Sequence, residues 1–319
     1  MDDGISRVAV FGTGQMAPGI ALVVALAGCQ TTLIGRSQES LARGTAGFDS
    51  AAAFLLKHEV ITGEEAQAAR ERLHLTTDVR DVGPADLAIE AIIESLPIKQ
   101  QLFKELDATF PAPMIIASST SALRISDIAA LVRHPERTVT THFWNPPHLM
   151  PLVDVMKGEK TSDETVQRVR SFLARCGKAP VVGLKDVAGQ IGNRLFQAVI
   201  REAMYMVQEG IASAEDVDAA VRNGFGLRFP VYGPLVHMDA VGLDLALSVQ
   251  TTTLPHLYNG AEPVAMLKDM VARGMLGVKS GTGFFDWSKR DIEQVRRERD
   301  LFLVERLKAT RRSTKAMTD

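Results

Sequence analysis

The segment from Val8 to Ala21 reads VAVFGTGQMAPGIA: a β-branched strand, a glycine turn and the start of a helix. Residues in this order build a dinucleotide cradle. Gly12 permits the tight turn, Gly14 lets the backbone approach a pyrophosphate, and the small Ala17 lets helix and strand pack closely. Gln15 and Met16 complete the loop that would line the cofactor. The helix that follows aims its free N–H groups and the positive end of its dipole at the phosphates. Glycine-rich turns are common, so the weight of the reading lies in its context. An apolar strand stands directly before the turn, a helix directly after it, and a second strand, Thr31–Ile34, beyond.

Short apolar strands and helical patterns continue to alternate through the first half, which predicts a doubly wound α/β fold with a parallel sheet covered on both faces. Strands are expected at Arg7–Gly12, Thr31–Ile34, Asp86–Glu90, Met114–Ser118, Thr138–Phe143 and Ala179–Val182. Between the second and third, Gln38 to Leu73 reads as two antiparallel helices broken at Thr62-Gly63, a hairpin expected to project from the sheet. The pattern changes near Lys185–Gly189. Apolar residues then recur at helical spacing from Asn193 to Gln208, and again over Asp239–Leu247. The division predicted is a dinucleotide-binding domain, 1–186, and an all-helical substrate and dimerisation domain, 187–319. The basic tail from Lys308 reads as a solvated, frayed end.

Composition narrows the function. Thirty-six Lys and Arg stand against 38 Asp and Glu, a formal charge of −2, so neither a nucleic acid nor an anionic membrane is indicated as partner. The MDD start has no basic region leading an apolar core, and the longest apolar run, Ile20 to Ala27, is far short of the ~20 residues of a membrane span. Cys29 and Cys176 lack CxxC spacing and the histidines form no ligand cluster, so no metal is expected. The expectation is a cytoplasmic enzyme with a small-molecule substrate.

Three segments carry the chemistry. ASSTSAL, 117–123, places hydroxyls at the carboxyl end of a strand, where ligands bind in an open α/β sheet; the same residues also suit caps for the helix near Ser126. In THFWNPPHLMPLVDV, 141–155, His142 follows an apolar run and Asn145-Pro146-Pro147 forces a turn. The chain then returns through Leu152 and Val153 and brings Asp154 beside His142. A carboxylate beside imidazole fixes its tautomer, as a general base requires; a satisfied core histidine is the other reading of this spacing. Asn193 opens the first helix after the boundary, as a cap or as a group facing a cleft.

Taken in order, GxGxM, GIA, IEAIIES, ASSTS, HFWNPP, PLVDV, GQIGNRL, YGPLVHMDAVGLD and GVKSGTGFFDW resemble the L-3-hydroxyacyl-CoA dehydrogenase family, its 3-hydroxybutyryl-CoA dehydrogenase and lambda-crystallin-like branch, over nearly the whole chain. The resemblance implies a Rossmann-type domain with a helical hairpin arm, a helical domain that forms a homodimer, and reversible oxidation of a 3-hydroxyl in fatty acid metabolism. It implies that Ser121 bonds the substrate oxygen, His142 is the acid/base and Asn193 orients substrate and imidazole. It also places Glu94 and Lys99 beside the cofactor and active site. The family's glutamate partner of the histidine falls on Asp154, whose missing methylene would be recovered by a backbone shift or a bridging water.

Two further departures bear on ligands. NAD-binding folds carry an acid about 20 residues beyond the glycine loop to bond the ribose. Here that place reads Gly35-Arg36-Ser37, with no carboxylate, a guanidinium suited to phosphate and a hydroxyl beside it. NADP(H) is therefore expected over NAD(H), with NAD as the other possibility. The arm segment Ala46 to Val60 carries only Lys57 as a cation, thin for a phosphate-rich acyl-CoA. A small hydroxy acid is the alternative substrate, and the stretch NPPHLMPLVDV with GEKTSDETV resembles a branch of the family that includes dehydrogenases of small carboxylated alcohols or aldehydes, among them one of vitamin B6 breakdown. A non-catalytic, crystallin-like role is the alternative to an enzyme.

Overall fold

The computed structural model describes residues 3–316, with side chains to residue 310. The described chain forms two compact units, one of residues 3–193 with 298–316 and the other of residues 194–297.

The first unit is built on one sheet of eight strands: β1 (Arg7–Phe11), β2 (Gln30–Ile34), β3 (Leu73–Thr76), β4 (Leu87–Glu90), β5 (Ile115–Ser118), β6 (Thr138–Phe143), β7 (Leu152–Met156) and β8 (Ala179–Gly183). Their order is β3-β2-β1-β4-β5-β6-β7-β8. All neighbours pair in parallel except β6 and β7, which are antiparallel. The predicted strands are present with ends shifted by about a residue, the uncertainty of any such boundary. β3 was not anticipated, and β7 was foreseen only as a returning chain. Helices α1 (Ala17–Leu26), α2 (Gln38–Lys57), α3 (Gly63–Glu71), α4 (Leu96–Thr109), α5 (Ile125–Ile128) and α6 (Asp163–Arg175) cover the sheet.

Helix α1 is the spine of one face. Its residues from Ala17 to Ala25 are all buried, so it is apolar all round, as a helix covered on every side must be. The hairpin of α2 and α3 lies against it rather than projecting from the sheet. A stripe of Leu41, Gly44, Phe48, Ala51 and Leu55 along α2 is buried, and Phe48 is wholly enclosed in the core. Burial of a side chain of this size contributes ~1.5–3 kcal/mol, enough to hold the helix down. Thr62 caps α3 in a reciprocal pair with Glu65, as the sequence suggested.

Helix α7 (Ile191–Gln208) leads out of the first unit. The second unit continues through α8 (Ala214–Asn223), α9 (Phe225–Arg228), α10 (Pro234–Val241), α11 (Leu243–Thr253) and α12 (Ala265–Ala272). The expected stretch Asp239–Leu247 is two helices, because Gly242 at φ +95° breaks it. Inside this unit Tyr205 stacks on Tyr258 at 4.9 Å, and Glu202 accepts the Tyr258 backbone N–H at 2.8 Å. The last helix, α13 (Ile292–Ala316), returns to the first unit. There Val304 is buried, Leu303 and Leu307 pack on the core, and Lys308 lies 3.7 Å from Glu59. The backbone thus stays helical beyond Lys308, to Ala316, and the apolar stripe that packs on the core lies just before that residue. Residues 317–319 of that expected tail lie outside the described residues.

Candidate active site

The glycine turn has the shape a dinucleotide needs. Gly12 adopts φ +117°, and a Cβ there would stand 2.6 Å from the Ala91 carbonyl oxygen. Around Gly14 a Cβ would meet nothing within 4 Å, which leaves open space beside the start of α1. That start has no side-chain cap and no acid in its first turn. Its N–H groups and dipole are therefore free to meet a phosphate. Ala17 is wholly buried, while Gln15 and Met16 form the loop between. The residues present fit a dinucleotide.

At the end of β2, Gly35 donates its N–H to the Thr76 carbonyl at 3.1 Å. A Cβ on it would stand 2.7 Å from Ser40 Oγ and 2.9 Å from a Leu41 methyl, so a side chain here would have to displace these two. Ser37 caps α2, accepting the Ser40 N–H at 3.2 Å. Arg36 is exposed.

The second part of the site grows from the antiparallel pair. His142 on β6 is directly opposite Asp154 on β7. Opposed residues in such a pair project to one face with Cβ atoms ~4.5–5.5 Å apart. His142 Nδ1 accordingly lies 3.1 Å from Asp154 Oδ2. The short carboxylate reaches the ring directly, so the expected bridging water is not needed. Trp144 Nε1 donates to the same oxygen at 3.0 Å, and the Gly192 N–H donates to Oδ1 at 3.0 Å. Burial pushes the Asp154 carboxyl upward, but the donors from His142, Gly192 and Trp144 outweigh it and hold it below its ordinary value. An ionised carboxylate only accepts, so Nδ1–H is the donor of this pair and Nε2 is the ring nitrogen that the pair leaves over.

A third set lies on the strand ends beside it. Glu94 Oε1 accepts from the Thr120 hydroxyl and from the backbone N–H groups of Ser121 (3.1 Å) and Ala122 (3.3 Å). Asn193 Nδ2 donates to the Ser121 carbonyl at 2.9 Å. Asn193 therefore holds the Ser121 backbone, while the imidazole is held by Asp154. Lys99 is 1% exposed. Its ammonium lies 2.8 Å from both oxygens of Glu90 and 3.3 Å from Glu94, so it bears on the surface through Glu94. Burial raises the Glu90 carboxyl, offset in part by Lys99 and by the Ser118 hydroxyl. For Glu94, burial is outweighed by Thr120 and Lys99, and the net shift is downward.

Sequence reasoning missed Glu90, Trp144 and Lys178. Lys178 is buried and donates to the carbonyls of Pro147 (2.6 Å) and Met150 (3.0 Å), tying down the turn between β6 and β7. These bonds were invisible in a segment that reads as an ordinary strand start. His148, left without a role, packs with Phe54 at 6.4 Å; it has no part in the His142 pair.

A dinucleotide cradle and a tautomer-fixed histidine on one sheet are the parts of a nicotinamide-dependent dehydrogenase. Residues 7–187 match the family described as 3-hydroxyacyl-CoA dehydrogenase, NAD binding domain, and residues 189–287 match 3-hydroxyacyl-CoA dehydrogenase, C-terminal domain. The chain belongs to the 3-hydroxyacyl-CoA dehydrogenase family. It is 32% identical over 301 residues to 5-formyl-3-hydroxy-2-methylpyridine 4-carboxylate 5-dehydrogenase of Mesorhizobium japonicum, covering 94% of this chain and 96% of that one. A solved structure of a 5-dehydrogenase of that pyridine carboxylic acid, an NAD+-dependent dismutase, superposes with TM-score 0.88 at 31% identity over 96% of this chain and 99% of that one. The (S)-3-hydroxybutyryl-CoA dehydrogenase of Ralstonia eutropha superposes with TM-score 0.76 at 32% identity over 90% and 100%.

Proposed function

We propose that this protein is a cytoplasmic dehydrogenase that oxidises the 3-hydroxyl of a 3-hydroxyacyl-CoA, with NADP(H) preferred over NAD(H). The observation that carries the reading is the buried pair of His142 and Asp154, joined through Nδ1. Nε2 takes the proton of the substrate hydroxyl as the carbon–hydrogen bond breaks, and returns it in the reverse direction. Asp154 stabilises the imidazolium that forms. The Ser121 hydroxyl bonds the substrate oxygen, with its backbone held by Glu94 and Asn193. A bound nicotinamide supplies the hydride acceptor; the loop from Gly12 to Ala17 would hold its pyrophosphate. Arg36 and Ser37 would meet a 2′-phosphate at the start of α2, where the helix dipole favours an anion. Glu94, with Lys99 behind it, would line the nicotinamide side.

In this reading residues 1–186 bind the dinucleotide, and residues 187–319 serve substrate and homodimer, with the end of α13 lending its apolar stripe to the first core. A small carboxylated alcohol or aldehyde is a second reading, favoured by two observations. The superposition is better on the pyridine-carboxylate enzyme, and reaches further along this chain, than on the CoA enzyme. In the arm, Arg43 and Arg70 are paired with Glu39 and Asp49, which leaves few cations for the phosphates of coenzyme A. The test is turnover, read as reduced cofactor, of 3-hydroxyacyl-CoAs against the corresponding free acids and pyridine aldehydes. A kcat/KM at least about tenfold higher for the thioester supports the CoA reading; equal values overturn it, because the CoA moiety then contributes no binding to the transition state.

A further inference from the structure

Asp154 is wholly buried, and a buried carboxylate with one partner is a poor anion: it is costly to ionise and free to pivot. The structure removes both faults with donors other than the histidine. Oδ1 is fixed by the Gly192 N–H at 3.0 Å, and Oδ2, the atom that faces His142, also receives the Trp144 indole N–H at 3.0 Å. The indole is itself held. Its ring lies 5.7 Å from the imidazole, centroid to centroid, and a Cβ on Gly192 would come within 2.7 Å of it. Trp144 and His142 are therefore two donors on one oxygen, presented by residues two apart at the end of β6.

We infer that Trp144 is a positioning residue of the reaction: its N–H fixes the plane of the Asp154 carboxylate and so the direction of the His142 ring. The requirement follows from the shorter acid. Asp154 has one side-chain torsion fewer than a glutamate, so it reaches the ring in fewer geometries, while its carboxylate can still pivot about χ2. Its placement depends on what holds Oδ2 from the side, and that group is the indole.

The kinetic arm of the test rests on the dehydrogenase reading above; a second arm does not. Trp144→Phe removes the N–H and part of the ring. Incorporation of 3-benzothienylalanine at position 144 removes only the N–H, because sulfur stands in its place. Both should lower kcat by about tenfold, the worth of one hydrogen bond to a charged group, with KM for substrate and cofactor held within about twofold. If the benzothienyl protein keeps full kcat while the Phe variant loses it, the ring acts by packing alone and the inference is overturned. A wild-type protein inert on every hydroxy substrate overturns the functional reading only. Exchange of the His142 Nδ1 proton, followed by NMR in cofactor-free protein, then decides the inference. Faster exchange in the benzothienyl protein, by about tenfold, supports it, and equal exchange overturns it.

Discussion

At the scale of single residues, two positions bear the most weight. His142 donates Nδ1–H to Asp154, and on the proposed reading Nε2 is its reactive atom. His142→Ala should lower kcat by the ~10²–10⁴ of a lost general base while cofactor binding persists, checked by turnover and by fluorescence titration with the reduced cofactor. Near-wild-type turnover would remove His142 from the mechanism. Asp154→Asn should leave a folded protein whose pH–rate profile has a displaced or flattened acidic limb, since the amide no longer stabilises the imidazolium. Arg36 is the second position. Gly35 carries no carboxylate, so the group that would bond the ribose of NAD and repel a 2′-phosphate is missing. Arg36 stands exposed beside the start of α2. The ratio of kcat/KM for NADP+ over NAD+ should exceed one and should fall by at least about tenfold in Arg36→Ala, the loss of a charge-assisted contact. A higher kcat/KM with NAD+ in the wild type sinks this reading of the loop.

Among the elements, the turn between β6 and β7 shows where a sequence is legible and where it stops being so. The two prolines announce a reversal, and a reversal of an antiparallel pair brings His142 and Asp154 together by register alone. What stabilises the turn comes from elsewhere in the chain. Lys178 arrives from the start of β8 to bond Pro147 and Met150, and no spacing rule links residues that far apart. Glu90 and Lys99 are likewise joined by the fold of β4 onto α4. β3 was missed for a different reason: LHLT lies at the sheet edge with two residues exposed, so it lacks the apolar run that betrayed the inner strands. The same turn carries a testable titration. Burial, assisted by Lys178, holds His148 down at about 4. In the unfolded chain it titrates near 6.5, so between those values the unfolded state binds the extra proton and stability falls as pH falls. The loss from above pH 6.5 to below pH 4 amounts to about 3 kcal/mol on this account. His148→Phe should flatten that part of the stability–pH curve, measured by urea unfolding at several pH values. An unchanged slope would mean that His148 is not held neutral.

On the scale of the whole molecule, the two units are unequal in what they bury. The first unit encloses a core on both faces of its sheet. Between residues 194 and 297, the buried apolar side chains among the described residues are Val217, Val264 and Met270. Meanwhile Leu227 is 65% exposed, Val231 81%, Leu235 79%, Leu243 64% and Leu247 68%. A helical unit of this length cannot be stabilised by so small a core, and an apolar surface this extensive on a folded protein marks an interface. A second copy of the chain is the partner available to any preparation, and a two-fold pairing of like faces is the commonest closed solution. A stable dimer typically covers ~800 Å² on each subunit. Light scattering at micromolar concentration should therefore give twice the 34.6 kDa chain mass. Glu in place of Leu235 and Leu243 together should shift the protein to a monomer with a lower Tm, because a charge buried without a partner opposes association. A wild-type monomer at that concentration would refute the dimer, and the exposed faces would then need another partner.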